Sequence, residues 1–367
     1  MTTPGEPYVL NIGPQHPSTH GVFRIRVVMD GERIQDIEMI VGYLHRSMEK
    51  LAEERTYTQN IPFTDRTDYL AAMSGNLGYC LAVERLAGVE VPERASCLRV
   101  IFAELQRIAS HAMGNGQLVS DAGAWQTPLL YMWREREKVL DLFEMTCGAR
   151  LTTNYMRIGG VAFDPPEEFF PAVDALIEEL PDRLDEYADL LIGNEILVAR
   201  TRDVAVISAE DAINASLTGP MLRASGVPWD LRKAEPYCGY ERFDFEIPVG
   251  HRGDAYDRFL VRMEEVRQSV RIIRQALDEL PAGAHKSEIP LALRPDPGEV
   301  YARVEGPRGE LGYYVVSDGG PAPYRFHIRA PSLINLTLLK EIAIGASLPD
   351  AIVALGSIDI VVGEIDR

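Results

Sequence analysis

Tyr8–Ile40 reads YVLNIGPQHPSTHGVFRIRVVMDGERIQDIEMI. Three β-prone runs are separated here by two loop signals. Tyr8–Ile12 and Phe23–Met29 read as strands; the second, FRIRVVM, alternates apolar and charged residues before its end, as a half-buried strand does. Asp30-Gly31 is a turn signal, and Arg33–Ile40 continues the sheet. Between the first two strands, Gly13–Gly21 (GPQHPSTHG) closes a hairpin.

From about Leu44 the apolar period lengthens. Leu44–Arg55, Thr67–Leu86, Leu98–Met113, Leu129–Thr146, Phe169–Gly193 and Asp254–Leu280 read as helices, with Pro62, Pro92 and Pro128 at or near helix starts. In the last of these, Phe259, Met263, Val266, Val270, Ile273 and Leu277 recur at three- and four-residue steps, which gives one apolar stripe and one charged face. Pro281–Pro297 reads as a linker. Gly309–Val316 and Tyr324–Arg329 return to strands around the turn signal Ser317–Gly320. The expected architecture is α+β: residues 1–43 an N-terminal antiparallel sheet, 44–285 a long-helix bundle, and 286–367 a small C-terminal β-hairpin unit whose tail returns to the core.

The chain has 367 residues, 46% of them hydrophobic, so it can bury a large core. Its net charge of −18 argues against nucleic acid, which requires clustered cations. No stretch is apolar for the ~18 residues of a spanning helix, and the start lacks the pattern of a signal peptide. The four cysteines, Cys80, Cys97, Cys147 and Cys238, form no CxxC pair, so no metal site is expected on this chain. They read as small core residues in a reducing compartment.

Two glycines and two prolines fix Gly13–Gly21 as a compact loop carrying His16, Ser18, Thr19 and His20. Two histidines there could give a proton and a hydrogen bond to a bound carbonyl; a turn whose histidines cap backbone groups is the plainer reading. Tyr57, Arg55, Asp65, Arg66, Asp68 and Tyr69 crowd a helix–Pro–helix junction. These groups either pair with one another or face a cavity. Asp121 reads as part of a short polar turn before Ala122-Gly123, and Arg134–Glu137 as a solvated or partner-facing run. Trp125 and Trp133 read as packing residues, and His111 as a capping or packing group near a helix end. The chain has no GxGxxG after a strand, no GxxxxGK[ST], no GxSxG and no HExxH.

Taken in order, GPQHPSTHG, GYLHRSMEKLAEERTYTQNIPFTDRTDYL, ELQRIASH, DAGAWQTPLLYMWREREKVLDLFE, NYMRIGG, LTGPMLRASG, DLRK, GELGYYVVSDGG, YRFHIRAP and GSIDIVVGEIDR resemble the 49-kDa (D) subunit of complex I, the NADH:quinone oxidoreductase. The similarity runs from about Tyr8 to Arg367. The related H subunit of the photosynthetic complex is also similar.

That resemblance implies a fold like the large subunit of nickel–iron hydrogenases. It implies a peripheral subunit on the cytoplasmic side of the membrane, next to the iron–sulfur B subunit, the C and I subunits and the membrane H subunit. Quinone would be the substrate, and the [4Fe–4S] cluster would belong to the B subunit. His20 and Tyr69 would hold the quinone headgroup, and Asp121 would hydrogen-bond His20. Arg46 and Arg66 would lie near the partner's cluster; Arg46 corresponds to a methylation site in some relatives.

Three departures from the family pattern stand out. Thr152 or Thr153 occupies the place of a histidine linked to pH-dependent cluster potential, the region 285–297 is short, and no long leading arm is expected. Two alternatives remain. One is the equivalent subunit of a complex with another electron donor, of ferredoxin type. The other is a hydrogenase-like scaffold without metal; RTDYL around Arg66 and the SIDIVVGEIDR tail lack the cysteine pairs a true nickel–iron site needs.

Overall fold

The computed structural model describes residues 7–123, 126–290 and 292–367, with the side chain of residue 126 excluded; Trp125 lies outside the described residues. Strands β1 (Tyr8–Ile12), β2 (Arg24–Asp30) and β3 (Arg33–Ile40) form an antiparallel sheet in the order β1-β2-β3. Tyr8 pairs with Met29 and Ile12 with Ile25, so the Gly13–Gly21 loop closes the hairpin beyond the Ile12 pair. Ile25, Val27 and Met29 of β2 face inward, as the alternation requires.

Helices α1 (Met48–Glu53), α2 (Tyr57–Asp65), α3 (Ala72–Ala87), α4 (Glu93–Asp121) and α5 (Gln126–Cys147) follow. After the short pair β4 (Met156–Arg157) and β5 (Gly160–Val161) come α6 (Phe169–Leu191), α7 (Glu195–Thr201), α8 (Ala209–Asn214), α9 (Pro220–Ala224), α10 (Leu231–Ala234) and α11 (Ala255–Asp278). Strands β6 (Gly298–Gly306), β7 (Gly309–Ser317) and β8 (Arg325–Arg329) make a second antiparallel sheet. Helices α12 (Pro331–Leu336), α13 (Leu339–Ala343), α14 (Leu348–Ile358) and α15 (Val362–Asp366) complete the described chain. The α+β architecture of sheet, bundle and small second sheet is therefore present.

Several boundaries differ from the sequence reading, each for a local reason. Leu44–Ser47 is not helical, because Leu44 donates its N–H to Asp366 and Ser47 is left-handed. Pro62 sits inside α2 rather than at a start; α2 begins at a capping box made by Thr56 and Gln59. The next helix starts at Ala72 rather than Thr67, since the Asp68 carboxylate takes the Leu70 and Ala71 N–H groups in a turn. Helix α4 runs well beyond Leu98–Met113 at both ends, so Asp121 is its last residue and not part of a loop. Beyond Arg329 the tail is helical, and β6 was hidden behind the proline-rich stretch that precedes it.

The main core joins α3, α4, α5, α6 and α11 to the inner face of the second sheet. A second cluster lies between the N-terminal sheet and the last helices, through Phe23, Val27, Ile37, Leu339, Leu355 and Val362. That second cluster packs the N-terminal hairpin against the tail helices.

Candidate functional site

The loop is built from its own backbone. Pro17–Thr19 forms one 3-10 turn, capped by His16, whose Nδ1 accepts the Ser18 N–H at 3.2 Å. The buried Thr19 hydroxyl lies 2.8 Å from the His16 carbonyl. His20 ends the turn in the left-handed region at φ 54°, which aims its ring away from the turn. Its Nε2 lies 2.6 Å from Asp121 Oδ2, and both side chains are 8% exposed. The carboxylate reaches this point because α14 presents Gly356 to it; a Cβ there would stand 2.6 Å from Asp121 Oδ2. His16 thus shapes the loop, while His20 leaves it to meet a helix end 101 residues away.

Tyr69 arrives from the other side. The turn after α2 is fixed by Asp68, whose second oxygen takes the Arg308 guanidinium at 2.7 Å. Burial, reinforced by the charge of Asp68, raises the Tyr69 phenol above its usual pKa, so it remains a neutral donor. Among the described residues its hydroxyl has no hydrogen-bond partner. His20 and Tyr69 line one cavity of about 170 Å³ with Leu70, Met113, Gly114, Gln117, Asp359, Ile360 and Val361. Gly114 lets the Asp359 carboxylate lie across α4, since a Cβ there would be 2.8 Å from it.

Arg46 and Arg66 are joined to each other and lie outside that cavity's lining. Arg46 Nη2 donates to the Arg66 carbonyl at 3.0 Å, and both side chains are exposed. Arg66 also donates to the Pro62 carbonyl and lies 3.7 Å from Asp65. Burial pushes the Asp65 carboxyl up to about 6.

The sequence reading missed a buried charge cluster behind the cavity. Asp68, Asp359 and Glu364 surround Arg308, whose Nε donates to the Asp359 carbonyl at 2.8 Å. Burial and the neighbouring Asp68 charge push Glu364 up to about 8. The signal was available: isolated acids in the apolar run SIDIVVGEIDR need partners if that run is buried.

It also missed a second cluster in the bundle. His111 is central in α4, fully buried, and 2.7 Å from Glu265, which also binds Arg223; of the expected capping or packing roles near a helix end, it caps nothing and instead pairs with a carboxylate in the helix interior. Arg232, Asp230, Glu104 and Glu305 extend this cluster. Glu135, read as part of a solvated or partner-facing run, is buried within the chain and accepts from the Tyr187 hydroxyl at 2.8 Å. Trp133, read as packing, is 37% exposed.

Two kinds of comparison place the chain in a family. The family described as "Respiratory-chain NADH dehydrogenase, 49 Kd subunit" matches residues 121–296 and 288–367. The D subunit of NADH-quinone oxidoreductase from Dehalococcoides mccartyi is 56% identical over 100% of both chains. A D-type subunit of the same enzyme from Roseiflexus is 54% identical over 98% of both. The chain belongs to the respiratory-chain NADH dehydrogenase 49-kDa subunit family.

The corresponding Clostridium beijerinckii protein, 52% identical over 99% of this chain and 98% of its own, shows how widely that identity holds. As a member of the family the chain is one component of an oxidoreductase that works with other subunits. Among the described residues, no group of three or more His, Cys, Asp or Glu side chains is arranged to hold a metal ion. No described helix is long and apolar enough to cross a membrane.

Proposed function

We propose that this chain forms one wall of the pocket in which NADH-quinone oxidoreductase reduces quinone, the other wall coming from the iron–sulfur B subunit. The observation that carries the reading is the convergence of the His20–Asp121 pair and the Tyr69 phenol on a single cavity. A cavity of about 150 Å³ holds a benzene ring, so about 170 Å³ admits a quinone ring. Imidazole and phenol give it two donors for two carbonyl oxygens. The relatives' name supplies the substrate class.

Reduction of a quinone to a quinol consumes two electrons and two protons. The electrons would come from the partner's [4Fe–4S] cluster. Asp121 occupies Nε2 of His20, fixing the ring and leaving Nδ1 as its other proton-carrying position. A protonated His20 gives up its proton and leaves Asp121 facing a neutral ring. That change in pairing is the local event available to drive a wider rearrangement. Tyr69, with its pKa raised by burial, keeps its proton until it meets a strongly basic reduced oxygen.

Arg46 and Arg66 are exposed, as are Val41 and Tyr43 in the loop that carries Arg46, at 44% and 45%. Cations among apolar groups suit a partner surface that carries a negatively charged cluster. In this reading the protein is peripheral, on the cytoplasmic side, in contact with the B, C, I and H subunits. Removal of the Tyr69 hydroxyl is the direct test. Tyr69→Phe in an assembled complex should raise the KM for short-chain quinones or lower turnover about tenfold or more, while NADH oxidation by an artificial acceptor persists. Unchanged quinone kinetics in that variant would sink the assignment.

A further inference from the structure

The 13–21 loop and the 66–70 turn border the cavity, and the 42–46 loop joins the second of these through Arg46. What they share is α15. Each of its contacts below is made at close range, and each goes to a different one of the three.

Val362 lies under the hairpin loop: a Cβ on Gly21 would stand 2.8 Å from Val362 Cγ2. Gly363 lies against the Tyr69 segment. A Cβ on Gly363 would meet the Thr67 carbonyl at 2.7 Å, Tyr69 Cε1 at 3.0 Å and the Arg66 carbonyl at 3.1 Å. The absence of a side chain at this one position lets the helix backbone lie on the phenol ring. Asp366 holds the Arg46 loop: its two carboxylate oxygens accept the Gly42 and Leu44 N–H groups, each at 2.7 Å. Its carbonyl lies 2.7 Å from His45 Nδ1. These bonds replace the helical ones that residues 44–47 would otherwise make.

The helix is itself pinned from behind. Glu364 Oε1 accepts the Ser332 N–H at 2.9 Å, and Ser332 Oγ accepts the Val361 N–H at 3.1 Å. All five residues of α15 are buried. A short buried helix, fixed on one side and touching all three site segments on the other, sets their relative positions.

We propose that α15 is the positioning element of the site: Gly363 seats the Tyr69 ring and Asp366 seats the Arg46 loop, both relative to His20. This rests on the quinone-site reading above and extends it to residues that touch no substrate. Misplacement of a reacting group by about 1 Å can cost as much as 100-fold in rate, so small backbone shifts here have large consequences.

The test uses the assembled complex and measures quinone kinetics separately from NADH oxidation by an artificial acceptor that bypasses the quinone. Gly363→Ala forces the Tyr69 segment outward and should change KM or kcat for short-chain quinone by about tenfold to 100-fold, with the bypass rate retained. Because Gly363 acts through Tyr69, the double variant with Tyr69→Phe should be no worse than Tyr69→Phe alone. Asp366→Asn turns one acceptor into a donor facing a backbone N–H. It should shift quinone kinetics several-fold with the bypass rate retained.

Unchanged quinone kinetics in assembled Gly363→Ala, or additive effects in the double variant, would overturn the proposal. If Gly363→Ala does not assemble, Asp366→Asn decides alone. If neither assembles, α15 is a folding element and the proposal is wrong. An inert Tyr69→Phe variant instead removes the quinone-site reading itself.

Discussion

Helix α4 carries one member of each of two histidine–carboxylate pairs, and they are built for opposite ends. His111 and Asp121 lie ten residues apart, about 15 Å along the axis. His111–Glu265 and His20–Asp121 have almost the same length, 2.7 and 2.6 Å. The first is sealed between α4 and α11. Glu265 takes Arg223 as well as His111, which holds it well below the usual carboxylate range despite burial, while burial lowers His111. The second joins a hairpin loop to a helix end and borders a cavity. A pair locked by a guanidinium and surrounded by packed helices is an anchor; the other pair has one member on a loop and borders the cavity of the proposed quinone site.

Breaking the sealed pair should have the largest effect. Glu265→Gln leaves Arg223 with less countercharge at a fully buried site. Removal of one partner from a buried ion pair costs about 3–5 kcal/mol, so urea unfolding of this variant should show a loss of that order. The same pair makes stability acid-sensitive. His111 has a folded pKa below the ordinary imidazole value of 6.5, so the unfolded chain takes up the proton first. Its contribution is complete above that value and falls as pH drops through it. Glu265 adds a further loss on acidification below about 4.5, where its unfolded form begins to bind a proton.

Breaking the open pair should leave the fold and damage the chemistry. Asp121→Asn keeps the shape but removes the charge facing His20. Quinone turnover should fall about tenfold to 100-fold, equivalent to roughly 1.4–2.7 kcal/mol in the barrier, with unfolding little changed. A large stability loss and unchanged turnover would invert the comparison and make His20–Asp121 a second anchor.

The charge cluster behind Tyr69 sharpens the comparison through pH. Glu364 has a folded pKa raised from 4.5 to about 8, so the fold binds its proton more tightly than the unfolded chain does. Its favourable contribution is complete below about pH 4.5 and is lost as pH rises through about 8. This is opposite in sign to the His111–Glu265 effect. Melting temperature should therefore decline on the alkaline side, and Glu364→Gln should flatten that decline. A variant that keeps the full alkaline slope would assign the effect to another group.

The strands and long helices were legible because their apolar residues repeat with period two or near 3.6, and that pattern survives without knowledge of partners. The ends were less so. Helix α4 continues past Met113 through Gly114 and Gly116, where Asp359 and Leu129 press close and leave no room for a side chain. Leu44–Ser47 looked helical because nothing local revealed that Asp366, more than 300 residues on, takes the Gly42 and Leu44 N–H groups. The His20–Asp121 pairing was readable only through family resemblance. Arg308 was out of reach, since its cluster joins residues 68, 308, 359 and 364 by long-range folding alone.

The smallest effect separates the two histidines of one loop. His16 caps the Pro17–Thr19 turn through Nδ1 and is exposed, whereas His20 departs from that turn to reach Asp121. His16→Ala removes one side-chain cap. Comparable caps on helices contribute about 1 kcal/mol, and an exposed single turn should show that much or less. The loss falls on the hairpin loop alone, so global unfolding should barely move while amide exchange in Ser18–Gly21 accelerates. Quinone KM should rise only about two-fold, because Thr19 and its 2.8 Å bond to the His16 carbonyl still hold the turn. An effect as large as that of Asp121→Asn would mean that the loop responds as one unit, and that His20 is no more than its best-placed member.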